Sequence, residues 1–181
     1  MDIVILIGLI FLNALFVMSE IALVSARKAR LEGMAEKGDK KARNALDLSH
    51  NPEIFLSAAQ IGITLIAIFT GVYSGEKFSK DLEPHIAEIS ILKDYSATIS
   101  TTLIVILVTF LSIVFGELIP KRIGLINAEK IAKMMAQPMR VFAKITYPFV
   151  WLLNKTSNLF FKLFNINSER DDFVTEDEIK A

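Results

Sequence analysis

Six residues with oxygen donors or a permissive backbone stand out in the long apolar runs of this 181-residue chain. They form three pairs: Ser19 and Glu20, Gln60 and Thr64, and Gly116 and Glu117. The first pair, Gln60 and the third pair lie toward one end of their runs. Hydroxyl, amide, carboxylate and backbone oxygens suit a hard cation such as Mg²⁺ rather than zinc or copper. Mg²⁺ takes six oxygen ligands at about 2.0–2.1 Å and gives up its water reluctantly. These residue types therefore indicate reversible binding of a hard cation.

Pro120 follows Glu117 by three positions, in the stretch FGELIPKR at residues 115–122. A proline has no N–H and clashes with the carbonyl four residues earlier, which here belongs to Gly116. We therefore expect the helix to break at Pro120 and to leave the Gly116 carbonyl unpaired beside the Glu117 carboxylate. Glycine would also let an ion approach the backbone closely.

Each of these residues also has a purely structural explanation. Glu20 and Glu117 are near helix ends, where a charge costs much less than the roughly 2.5–3.5 kcal/mol of a helix centre. Gln60 is more typical of a hydrogen bond between helices than of an ion ligand. The similar depth of Ser19-Glu20, of Ser57 and Gln60, and of Gly116-Glu117 favours a binding site, although their spacing does not identify the ion.

Three apolar runs are long enough to cross a membrane, at about residues 3–24, 54–73 and 97–119. The first would form a helix about 33 Å long, and the hydrocarbon core of a bilayer is roughly 30 Å thick. The acidic Met1-Asp2 start argues against a signal peptide. With 52% hydrophobic residues, the sequence predicts an all-α membrane protein with three transmembrane helices.

Amphipathic juxtamembrane helices are predicted after the third span. One covers residues 127–137 and is expected to end at Pro138. A second, at 148–164, carries too many polar residues for a span and is predicted to lie in the membrane interface, with Trp151 and Lys155 at the headgroup level. The predicted organisation is a transmembrane core, juxtamembrane helices and the start of a linker, at residues 1–125, 126–166 and 167–181.

Charge sets the predicted orientation and excludes several function classes. The loop at 26–51 is rich in Lys and Arg, so the positive-inside rule places it in the cytoplasm, with the N-terminus outside and the C-terminus inside. The net charge is zero and Cys is absent, which disfavours nucleic-acid binding, thiol chemistry and Cys-based metal sites. His50 and His85 make no metal-ligand pair. We expect a protein that is not an enzyme.

The motifs SEIAL, QIGITL and GELIPK occur here in that order, beginning at residues 19, 60 and 116. Together they resemble the transmembrane domain of the CorB/CorC and cyclin-M family of magnesium transporters, over nearly the whole chain. The resemblance implies a homodimer in the plasma membrane, with a juxtamembrane helical belt. It also implies Mg²⁺ export, with sodium-coupled exchange, from an inward-facing cavity.

In that family the ion is held by polar residues of all three helices, which correspond here to Ser19, the stretch 60–64, Gly116 and Glu117. The resemblance further implies cystathionine-β-synthase-type domains after the linker. Two alternatives stay open at this point. The domain could be a magnesium sensor or accessory subunit that binds the ion without moving it, or a dimerisation anchor, which the convergence of polar residues disfavours.

Overall fold

The computed structural model describes residues 1–50, 52–89 and 91–164, which are almost entirely helical and contain no strand. The helices are α1 Asp2–Ser25, α2 Lys28–Glu36, α3 Lys40–His50, α4 Pro52–Ala87, α5 Ser96–Ile113, α6 Ile119–Ile126 and α7 Ala128–Leu163. A 3₁₀ turn, Lys93–Tyr95, precedes α5, and a π-helical turn, Val114–Leu118, joins α5 to α6. The predicted all-α fold is confirmed.

Three helical stretches of the described chain are long and apolar enough to cross a bilayer: Asp2–Ser25, Pro52–Ala87 and Lys93–Ile126. The most apolar 18-residue windows of these stretches have mean hydropathies of 2.4, 1.9 and 2.5. Large apolar side chains such as Phe69 and Phe110 are exposed on them, as expected where lipid rather than protein covers a helix. The three predicted spans are confirmed, whereas the orientation of the termini stays a prediction.

The second span is longer than the hydropathy pattern predicted. The expected helix ended at residue 73, but α4 continues to Ala87 and includes Pro84 near its end. Hydropathy falls in this extension because it contains charged residues such as Glu76 and Lys77, yet these are good helix formers. Ser79 is buried there, so tertiary packing also supports the extra turns.

The predicted helix end at Pro138 is wrong, because α7 runs without interruption through both Pro138 and Pro148. A proline fixes φ near the helical value and removes one backbone hydrogen bond, so packing can outweigh its cost. Ala136 and Met139, on either side of Pro138, are both buried in the core. These contacts hold the helix together across the proline.

Residues 1–146 form one compact unit and the chain from Tyr147 onward forms a second. In the second unit, the Lys155 ammonium lies 4.8 Å from the centre of the Trp151 ring, a cation–π contact. The large apolar side chains of this helical segment are exposed. Its predicted position in the membrane interface stays a prediction, and the predicted linker at 167–181 lies outside the described residues.

The basic segment predicted as a loop at 26–51 folds as a helical hairpin of α2 and α3. Leu31 and Ala42 of the hairpin are fully buried in the same core as Ala132 and Ala136 of α7. The hairpin and the first part of α7 therefore lie on the same side of the spans. The predicted orientation requires this arrangement.

Asp39 connects the hairpin to α7 and caps α3. Its Oδ1 accepts hydrogen bonds from the backbone N–H groups of Lys41 at 2.9 Å and Ala42 at 3.1 Å, as expected at a helix N-terminus. Its Oδ2 accepts a hydrogen bond from Lys133 Nζ at 2.8 Å. The hydrogen bond from Lys133, followed by that from Ala42, lowers the pKa of the Asp39 carboxyl below its usual value.

Asp39→Asn is expected to lower the thermal unfolding midpoint modestly at pH 7. Asparagine retains the cap but loses the ion pair with Lys133. A lowered folded-state pKa adds stability that is present above the unfolded pKa of about 3.9 and is lost as the pH falls through the folded pKa. The difference between wild type and variant should therefore shrink below about pH 4. Unfolding midpoints measured from pH 7 to pH 3 check this, and a constant difference would contradict it.

Candidate functional site

The predicted helix break at Pro120 is wrong. The third span continues through the π-helical turn directly into α6, and Pro120 lies in the first turn of α6. In a π turn each N–H bonds a carbonyl five residues earlier, as the Ile119 N–H does with Val114. Pro120 is tolerated because the wider turn redistributes the hydrogen bonds around it. π turns inside α-helices occur frequently at functional sites.

Asn13 of α1 contacts the turn and was not assigned a role by the sequence analysis. Its Nδ2 donates a hydrogen bond to the carbonyl oxygen of Gly116 at 3.2 Å. A side chain at residue 116 would meet this amide, since a Cβ there would lie 3.2 Å from Nδ2. The expectation of an unpaired Gly116 carbonyl is therefore corrected. The sequence feature that could have predicted this hydrogen bond is the carboxamide of Asn13, in the middle of an apolar run.

Two carboxylates and one ammonium group converge at the turn. Lys121 Nζ donates a hydrogen bond to the Glu117 carboxylate, one helical turn earlier. Glu20 is half-buried and lies on α1, the helix that packs against the π-helical turn and against α6, which carry Glu117 and Lys121. The structure thus brings two of the predicted site residues together from different elements. Lys121 is the direct partner of Glu117.

Ser19 lies one residue before Glu20 and is fully buried. Its hydroxyl donates a hydrogen bond to the carbonyl of Leu15 in its own helix, at 2.5 Å. The hydroxyl proton is therefore used within α1, while the lone pairs of the oxygen remain able to accept or to bind a cation.

Gln60 and Thr64 face away from α1. The helices α1 and α4 meet where Gly62 packs against the Phe16 ring, so closely that a Cβ at residue 62 would lie 2.6 Å from a ring carbon. Residues two positions from Gly62 are rotated by about 200° around the helix. Accordingly, the side chains of Gln60 and Thr64 are both exposed in the described chain. Their role as ion ligands stays a prediction.

A cavity of about 230 Å³ with a mixed polar and apolar lining lies between α4 and α5 and reaches α1 and the π-helical turn. Five residues with side-chain oxygens line it: Asn13, Thr70, Thr109, Ser112 and Glu117. Asn13 Oδ1 and Ser112 Oγ are buried and make no hydrogen bond. Glu117 therefore contributes to two polar environments, the cluster with Glu20 and Lys121 and this cavity.

The described residues contain no group of three or more His, Cys, Asp or Glu side chains arranged to hold a metal ion. The arrangement instead offers two carboxylates with hydroxyl, amide and backbone oxygens nearby. Such a set suits a hard cation that keeps part of its water shell.

The sequence matches the family described as the cyclin M transmembrane N-terminal domain over residues 4–181. The chain belongs to this family. It is 44% identical over 173 residues to a UPF0053 protein of Synechocystis, which covers 96% of this chain and 39% of that protein. The UPF0053 protein YhdT of Bacillus subtilis is 36% identical over 182 residues, covering 99% of this chain and 40% of YhdT.

Another relative is named for its function. The polyamine export protein of Escherichia coli is 34% identical over 180 residues, which cover 99% of this chain and 40% of that protein. This chain spans about two fifths of the length of the curated relatives that it matches. The three spans and the family together support a membrane domain of the transporter type rather than a catalytic domain.

Proposed function

We propose that the chain is the membrane domain of a cation exporter and that Mg²⁺ is the exported ion. The observation that carries this proposal is the cluster of Glu20, Glu117 and Lys121 at the π-helical turn, beside the carbonyl of Gly116. Two carboxylates offset the charge of one divalent cation. Charged groups inside transmembrane segments are costly and commonly mark ion pathways.

In this proposal the Lys121 ammonium takes the place of the ion beside Glu117. Its ammonium neutralises Glu117 while no cation is bound. An arriving Mg²⁺ competes for the same carboxylate, and Lys121 turns toward water, since its side chain is already 41% exposed. Ser19 and Gly116 are the further oxygen ligands proposed from the family resemblance. The resemblance also implies Gln60 and Thr64, but they face away from α1 in this structure and are not part of the cluster with Glu20. Retained water completes the six-fold coordination.

The remaining parts of the proposal also derive from the resemblance. Sodium moving inward would drive Mg²⁺ outward across the plasma membrane, and the exporter would be a homodimer. The N-terminus would face outward and the C-terminus the cytoplasm, where the loop at 26–51 also lies.

A polyamine is the second candidate substrate. Escherichia coli and Haemophilus influenzae each have a polyamine export protein related to this chain, at 34% and 35% identity. A protonated polyamine carries several ammonium groups. One of them could take the place of the Lys121 ammonium on Glu117, and Glu20 could accept another.

A transport assay in liposomes that contain the 181-residue protein distinguishes the two candidate substrates, Mg²⁺ and a polyamine. Vesicles loaded with Mg²⁺ are expected to release it faster than protein-free vesicles, as followed with an external magnesium-sensitive dye. An inward sodium gradient should accelerate the release, and radioactive putrescine should neither be carried nor slow it. Transport of putrescine without Mg²⁺ release would replace the first candidate with the second. Mg²⁺ binding with no transport of either compound would contradict the exporter and favour a sensor.

A further inference from the structure

The hydrogen bond between Asn13 and the Gly116 carbonyl joins α1 to the π-helical turn of the third span. Asn13 Nδ2 donates to that carbonyl at 3.2 Å. In an α-helix the carbonyl would accept from the N–H of residue 120, but Pro120 has no N–H. The Asn13 amide thus supplies a donor to a carbonyl that its own helix cannot pair in the α-helical pattern.

The backbone at Gly116 lies close to α1. A Cβ added at residue 116 would lie 3.2 Å from Asn13 Nδ2 and 3.6 Å from the carbonyl oxygen of Ile10. Gly116 is also buried, so a side chain there would crowd the amide. Glycine therefore allows the close approach of the turn to α1, and Asn13 fixes it with a hydrogen bond.

Asn13 is a costly residue at this position. It lies in the middle of the apolar helix α1, and its Oδ1 is buried and makes no hydrogen bond with the described residues. An unpaired buried polar atom costs about 1–3 kcal/mol, and a leucine would avoid that cost. The stability of α1 alone therefore does not explain an asparagine here, whereas a role at the π-helical turn does.

We propose that Asn13 is a positioning residue of the cation cluster. Its amide replaces the N–H that Pro120 lacks, and so holds the Gly116 carbonyl and the adjoining Glu117 carboxylate in the π-helical geometry. A carbonyl oxygen has two lone pairs, so one of them remains able to bind a cation. The inference rests on the proposed function, because Asn13 acts through groups of the same site rather than as an ion ligand.

Binding of Mn²⁺ to the detergent-purified 181-residue protein tests this inference, with free Mn²⁺ measured by its electron paramagnetic resonance signal. Removing the hydrogen-bond partner of a metal ligand typically lowers metal affinity about 10- to 100-fold. Asn13→Leu keeps the branched shape of the side chain but has no donor, so it should weaken Mn²⁺ binding about tenfold or more.

Ser74→Ala is the matched control for the loss of a buried polar group. The Ser74 hydroxyl is also buried and also donates to a backbone carbonyl, but that carbonyl belongs to Gly71 of the same helix, at 3.2 Å. Its removal leaves the π-helical turn untouched, so the affinity for Mn²⁺ should not change.

Pro120→Ala distinguishes positioning from a purely structural role. Alanine restores an N–H that can bond the Gly116 carbonyl within the helix, and it suits a helix better than proline. The thermal unfolding midpoint should therefore stay at or above the wild-type value. Mn²⁺ affinity should nevertheless fall about tenfold, because the turn closes toward α-helical geometry. In this background Asn13→Leu should cost much less affinity than in the wild type.

Two results would overturn the inference while leaving the proposed cation site in place: unchanged Mn²⁺ affinity of Asn13→Leu, or an equal loss from this substitution in both backgrounds. Should Asn13→Leu fail to fold, Pro120→Ala decides, since unchanged Mn²⁺ affinity in that variant would also overturn the inference. Absence of saturable Mn²⁺ binding by the wild type would contradict the proposed function and this inference with it.

Discussion

Glu117→Gln is expected to reduce Mg²⁺ release from protein-containing liposomes to nearly the level of protein-free vesicles. The substitution preserves the size of the side chain and removes its charge, so it tests electrostatics rather than packing. Removing one partner of a buried, hydrogen-bonded charge pair costs about 2–5 kcal/mol. Because the Glu117 side chain is 45% exposed, we expect the lower end of this range, which corresponds to a loss of about 30-fold. Glu20 alone would then face the divalent ion, with Lys121 still beside it.

Glu76→Gln is the matched control for this experiment. Glu76 also pairs with a lysine four residues later, Lys80, but both side chains are well exposed, at 63% and 70%. Exposed pairs contribute little to stability, so transport should stay at the wild-type level. Undiminished transport by Glu117→Gln would remove this carboxylate from the ion pathway and with it the proposed function.

Gly62→Ala is expected to destabilise the packing of α1 on α4. A Cβ at residue 62 would lie 2.6 Å from a carbon of the Phe16 ring. The ring has little room to move, because Phe16 is buried and packs edge-to-face against Phe142 at 4.7 Å between ring centres. Overpacking of a core by one methyl group typically costs about 1–3 kcal/mol.

Gly75→Ala in the same helix provides the comparison, because no atom lies within 4 Å of the Cβ that it would add. Alanine has the higher helix propensity, so this variant should unfold at or above the wild-type temperature. Thermal unfolding midpoints of both variants and the wild type, measured in detergent, check these two predictions. Equal midpoints for Gly62→Ala and wild type would mean that α1 and α4 do not meet as described.

Much of the fold could be predicted from the sequence, because a bilayer imposes strong requirements on length and hydropathy. Each span needs about 20 apolar residues, and three runs of the chain meet that requirement. The ends of the helices were harder to predict. α4 continues through charged residues to Ala87, and α7 continues through Pro138, since helix ends depend on packing and hydrogen bonds as well as on hydropathy.

The candidate site was predictable in part. Glu20 and Glu117 come together because both occur near the ends of spans that lie side by side. The consequence of Pro120 was not predictable, since a proline rule describes an isolated α-helix, whereas here a π-helical turn and the amide of Asn13 accommodate it. The direction in which Gln60 and Thr64 face depends on the contact of Gly62 with Phe16, which no local pattern reveals.

The position of a bound divalent ion tests the central claim most directly. Crystals of the protein grown with Mn²⁺ in place of Mg²⁺ would locate the ion by its anomalous scattering. We predict a peak at metal–oxygen bonding distance from the Glu117 carboxylate, beside Glu20, with the Lys121 ammonium moved away from Glu117. A saturating concentration of Mn²⁺ with no peak at Glu117, and with Lys121 still bonded to it, would contradict the claim that this cluster holds the exported cation.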